Sequence, residues 1–119
     1  MTSAAKRAGS KFETDVLAYL RERGLDAERL AKAGSLDEGD IVLRDGDGAT
    51  FCAELKARRD KNSSLSLGAW LGEAELEAGH YAAARGLPDT PLPILVVKRP
   101  GKPIAQAFVV MSLEDFVSG

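Results

Sequence analysis

Gly39-Asp40-Ile41-Val42-Leu43-Arg44-Asp45-Gly46-Asp47-Gly48-Ala49-Thr50-Phe51-Cys52-Ala53-Glu54-Leu55-Lys56 is the stretch whose reading decides the fold. Ile41-Val42-Leu43 and Thr50 to Leu55 carry strand-forming residues, and Asp45-Gly46-Asp47-Gly48 between them is turn chemistry, so the whole reads as a β-hairpin. With the turn centred on Asp47, Asp40 falls opposite Glu54, and Lys56 follows on the same face. The reverse face then carries Ile41, Leu43, Phe51, Ala53 and Leu55, and a slip by a single residue would destroy that uniformly apolar pattern. Two directly opposed acids destabilise a sheet unless a cation sits between them. The hairpin therefore asks for a metal. Two carboxylates can bind a divalent cation, and a lysine beside them can hold or deprotonate a water.

Upstream, Ala4 to Arg23 reads as a helix whose buried stripe is Phe12, Val16, Leu17 and Leu20, ended by Gly24. Glu13 lies inside that stripe, about 40° from Leu17 and about 20° from Leu20. Its carboxylate either reaches over the helix edge into water or points at a polar site under the helix, such as a metal. Asp26 to Ala31 can form a short strand, and residues 33–39 a loop leading into Asp40.

Downstream, Ser63, Ser64 and Ser66 offer caps for a second helix ending near Gly86. Its buried face is marked by Leu67, Trp70, Leu71, Ala74, Ala78, Tyr81 and Ala82, with Glu73, Glu77 and His80 facing outward. A proline-stiffened connection leads to Ile94-Leu95-Val96-Val97, an interior strand. Pro100 to Pro103 turns the chain into a last strand, Ala105 to Met111, and Ser112 caps a short closing helix. This element order predicts an α/β (α+β) fold in which a mixed sheet is flanked by helices.

The length of 119 residues fits a single domain spanning 1–119, and the hydrophobic fraction of 45% is that of a soluble globular protein. The N-terminus lacks a secretory apolar stretch and no apolar run is long enough to span a bilayer, so the expected location is the cytoplasm, with no membrane partner. One cysteine, Cys52, excludes an intrachain disulfide and is too few for a structural zinc site, which leaves oxygen ligands for any metal. Cys52 reads as a small core residue, His80 as solvated surface, and Trp70 and Tyr81 as core packing. The net charge of −2 opposes a nucleic-acid partner, but the basic residues are clustered, in Lys6-Arg7-Lys11, Lys56-Arg58-Arg59-Lys61 and Lys98-Arg99-Lys102.

Taken together, Gly39-Asp40-Ile41, Glu54-Leu55-Lys56 and Glu13 in the first helix resemble the PD-(D/E)XK nuclease superfamily. The resemblance implies a restriction-endonuclease-like αβββαββ core. Gly9-Ser10-Lys11-Phe12-Glu13 and the approach from Arg29 to Gly34-Ser35 are similar to archaeal-type and phage Holliday-junction resolvases, which are homodimers cutting branched DNA. Glu38-Gly39 stands where many members have proline near the aspartate. The resemblance implies one or two Mg²⁺ or Mn²⁺ ions held by Asp40, Glu54, the Leu55 carbonyl and Glu13, with Lys56 positioning the attacking water. It also implies DNA contacts from Lys6, Arg7, Lys11, Arg29, Ser35, Arg58, Arg59 and Lys61, on branched or duplex DNA in a bacterial or phage-infected cell. Other activities on the same fold are a restriction or end-processing nuclease, and a non-catalytic DNA-binding or interaction module.

Overall fold

The computed structural model of the chain describes residues 4–30, 39–57 and 66–118. Helix α1 (Ala4–Glu22) is followed by β1 (Asp26–Arg29), β2 (Ile41–Arg44) and β3 (Thr50–Lys56), then α2 (Leu67–Arg85), β4 (Leu92–Val97), β5 (Phe108–Val110) and α3 (Leu113–Ser118). The strands form one sheet in the order β1-β2-β3-β4-β5. Only β3 and β4 run parallel; the other neighbours are antiparallel. A parallel pair needs a long crossover, and α2 is that crossover.

Alternation along the strands separates two cores. On one face Phe12 and Val16 of α1 pack on Ile41, Leu43, Ala53, Leu55, Ile94 and Val96. On the other, Ala78 and Tyr81 of α2 cover Val42, Cys52 and Leu30. Full burial of a large apolar side chain contributes about 1.5–3 kcal/mol, and Phe12, Ile41 and Leu95 are at most 2% exposed. Small residues Ala74, Ala78 and Ala82 let α2 lie close on the sheet.

The hairpin has the register its sequence predicts: Val42 pairs with Cys52 and Leu43 with Phe51. Asp45 builds the turn, its Oδ1 accepting from the N–H groups of Asp47 (2.9 Å) and Ala49 (3.0 Å). Gly48, at φ 91°, occupies the left-handed position such a turn requires.

Four expectations need correction. The last strand is shorter than Ala105 to Met111, because Pro103 starts a 3-10 turn over Ile104–Gln106 closed by Gln106 N–H on the Pro103 carbonyl (2.9 Å). Leu67 is exposed and Trp70 and Leu71 are only half-buried, because the inner face of α2 is Ala74, Glu77, Ala78, Tyr81 and Ala82. Glu77 thus faces inward, not outward. The proposed caps Ser63 and Ser64 and most of the 33–39 loop lie outside the described residues, and Ser66 precedes α2 without a side-chain cap bond. No described helix is long and apolar enough to cross a membrane.

Candidate active site

Asp40 sits where β2 begins, and its backbone does not continue the ladder regularly. Its N–H donates to the Ala53 carbonyl (3.0 Å), one residue short of Glu54, while its own carbonyl accepts from Leu30 N–H (2.9 Å). This is the pattern of a β-bulge, which bends a strand and re-aims a side chain. The sequence reading placed Asp40 directly opposite Glu54; the bulge corrects that. The Asp40 carboxylate reaches along β3 instead, its Oδ2 accepting the Leu55 N–H at 2.8 Å. Gly39 makes the approach possible with φ 100°, a conformation that L side chains rarely adopt.

Glu54 is buried on the α2 side of the sheet, as its alternation with Leu55 requires. Asp40 and Glu54 still interact through their carboxyl groups, and that interaction raises the Glu54 pKa. Burial pushes the Glu54 carboxyl far above its ordinary range, and the hydrogen bond with Asp40 and the charges of Asp40 and Glu77 push it further. Lys56 Nζ lies 3.5 Å from Glu54 Oε2 and 3.1 Å from Glu73 Oε2. It is also 5.8 Å above the centre of the Trp70 ring. Burial works against the lysine charge, but the bond to Glu73 and the charges of Glu54 and Glu73 outweigh it and raise its pKa. In this state Lys56 is an ammonium that can hold a water or phosphate oxygen rather than a base.

Helix α2 therefore contributes two acids that sequence reasoning set aside. Glu54, Glu73 and Glu77 each offer a carboxylate oxygen within 4.8 Å of the others. Glu77 is 6% exposed. Its inward position is consistent with helical spacing, since Ala74, Glu77, Ala78 and Tyr81 share one face. An all-oxygen donor set of this kind suits a hard cation such as Mg²⁺ or Mn²⁺.

Glu13 is not part of the group formed by Glu54, Glu73 and Glu77. Helix α1 packs on the sheet face bearing Ile41 and Leu55, opposite to Glu54, and Glu13 Oε1 pairs with Arg29 Nε at 3.6 Å. Arg29 also bonds Thr14 Oγ1 at 2.8 Å. Lys11 is exposed and paired with Asp15 at 2.9 Å, and Arg7 is exposed on α1. Ser35, Arg58, Arg59 and Lys61 lie outside the described residues, as does the side chain of Lys6. Cys52 is buried in the α2-side core as expected, and His80 is half-buried. A cavity of about 630 Å³ lies at the other end of the hairpin, lined by Arg44, Thr50, Tyr81 and Arg85, and holds none of these acids.

No family model and no curated protein matches the sequence. Among solved structures the chain is similar to Hjc of Archaeoglobus fulgidus, a Holliday junction resolvase from an archaeal hyperthermophile. The TM-score is 0.51 and the identity 21%, over 93% of this chain and 88% of that one. The resemblance drawn from the sequence thus recurs in the structure at the level of the fold, a mixed five-stranded sheet between helices shared with that resolvase over nearly the whole chain.

Proposed function

We propose that this protein is a divalent-cation-dependent endonuclease that hydrolyses phosphodiesters in branched DNA, with four-way junctions as its substrate. The observation that carries the reading is the meeting of Asp40, Glu54 and Lys56 at one end of a hairpin, in a fold shared with a junction resolvase. Asp40, Glu54 and the Leu55 carbonyl would hold the ion. Mg²⁺ or Mn²⁺, when bound, supplies Lewis acidity to a phosphoryl oxygen and lowers the pKa of water. The Lys56 ammonium fixes the attacking water and offsets charge that develops on the phosphate. Asp40 is positioned for this by the Leu55 N–H, which holds one of its oxygens against the strand.

Arg7, Lys11 and Arg29, with Lys6, Ser35, Arg58, Arg59 and Lys61, make up the proposed DNA contacts. A homodimer suits a two-fold junction. Its proposed interface is the β5 edge with α3, where Phe108, Val109, Leu113, Phe116 and Val117 are exposed.

The test is cleavage of a synthetic four-way junction with and without Mg²⁺, beside linear duplex and flap controls. Symmetric nicks in the junction alone are expected, and Asp40→Asn should abolish them while circular dichroism stays unchanged. Full activity in Asp40→Asn would sink the mechanism; equal cutting of duplex or flap would reassign the enzyme to restriction or end processing.

A further inference from the structure

The position of Glu77 has a chemistry of its own. It is a buried acid in the inner stripe of α2, one turn from Ala74 and beside Ala78. Its carboxylate lies within 4.8 Å of the carboxylate oxygens of Glu54 and Glu73. It also reaches the chain beside Asp40: a Cβ built on Gly39 would stand 3.9 Å from Glu77 Oε1 and 3.9 Å from its Cβ. Glu77 and Asp40 thus both act on Glu54, Glu77 from the helix side. Glu73 is differently engaged, since Lys56 holds it at 3.1 Å on the more exposed rim.

Glu13 offers the opposite picture. It approaches from the α1 face of the sheet and is paired with Arg29. Glu13 forms an ion pair with an arginine, whereas Glu77 lies against two other carboxylates.

We propose that Glu77 on α2, rather than Glu13 on α1, supplies the third carboxylate of the cation centre built on Asp40 and Glu54. This rests on the cation-dependent reading above and names a ligand that reading leaves open. Lys56 and Glu73 then form the outer wall of the centre, and α2 couples cation binding to the crossover between β3 and β4.

The experiment is Mn²⁺ titration by calorimetry on the full chain, without DNA, together with thermal unfolding in EDTA and in Mn²⁺. Glu77→Gln keeps the side-chain shape and should weaken Mn²⁺ binding at least about tenfold, whereas Glu13→Gln should stay within about twofold of the parent. In EDTA Glu77→Gln should unfold no earlier than the parent, because a buried like charge has been removed, and its gain in melting temperature on adding Mn²⁺ should shrink. A purely structural role for Glu77 predicts the reverse, a lower melting temperature in EDTA with an undiminished Mn²⁺ gain. Glu77→Met, of similar volume, repeats the test should the Gln variant fold poorly, and failure of both to fold would overturn the proposal. Parent-like Mn²⁺ affinity in Glu77→Gln, with binding lost in Asp40→Asn, would overturn this inference alone. No Mn²⁺ binding by the parent would overturn the cation-dependent reading with it.

Discussion

At the scale of single residues, Glu54 carries the most consequential electrostatics. Burial, then Asp40, then Glu77 raise its pKa from 4.5 to about 10 in the cation-free protein. An acid whose folded pKa is raised binds its proton more tightly in the native state, so its contribution to stability is complete below about pH 4.5 and is lost as pH rises toward the folded pKa. The cation-free protein should therefore lose stability from about pH 5 upward through neutrality. Thermal unfolding in EDTA across that window should show the decline, and Glu54→Gln should flatten it. A parent profile as flat as that of Glu54→Gln would contradict the burial of Glu54 beside Asp40 and Glu77. Adding Mn²⁺ should oppose the decline, because cation binding displaces protons and strengthens as pH rises. Lys56 belongs to the same balance: its ammonium sits between Glu54 and Glu73, so Lys56→Met leaves both acids without it and should depress cleavage more than folding.

At the scale of elements, the start of β2 is the critical joint. Gly39 at φ 100° delivers Asp40 into a bulge, and alanine there would hold the backbone in a sparsely populated region at a cost of about 1–3 kcal/mol. Gly39→Ala should lower the unfolding free energy measured in urea by that amount and displace Asp40, so cleavage should fall with stability; unchanged stability would show that the backbone relaxes freely. On the other face, Phe12→Ala removes a side chain 2% exposed and should cost about 3–5 kcal/mol. These elements also show what a sequence can disclose. The hairpin register was legible because Ile41, Leu43, Phe51, Ala53 and Leu55 share one buried face, and only one alignment keeps them there. The bulge was not, since it is a local backbone choice set by Gly39 and by the Leu55 N–H that the Asp40 side chain accepts. Glu77 shares the helical phase of Ala74, Ala78 and Tyr81, but that phase does not disclose the carboxylates on the neighbouring strand that it meets. The last strand is shorter than the apolar stretch up to Met111 suggests, because Pro103 initiates a 3-10 turn over Ile104–Gln106.

At the scale of the whole molecule, the distribution of apolar surface is uneven. Helix α1 covers its face of the sheet only in part, leaving an apolar groove of about 370 Å³ among Tyr19, Leu20, Val96, Ile104, Val109 and Met111. Beside it lies β5, a three-residue edge strand with Val109 62% exposed, followed by α3 with Phe116 68% exposed. Edge strands usually carry charge or are covered, because unpaired backbone groups beside apolar side chains recruit another chain. Here the cover proposed is a second copy of the protein. Val109→Lys puts a charge at the centre of that surface without touching either core, and sedimentation equilibrium should show the parent as a dimer and the variant as a monomer. Folding should be preserved, since Val109 belongs to neither buried cluster. The monomer should bind Mn²⁺ like the parent, because every proposed ligand comes from one chain, yet it should lose the simultaneous nicking of two junction strands and release singly nicked intermediates. A parent that sediments as a monomer while making paired nicks would sink the dimer and require each strand to be cut in a separate encounter.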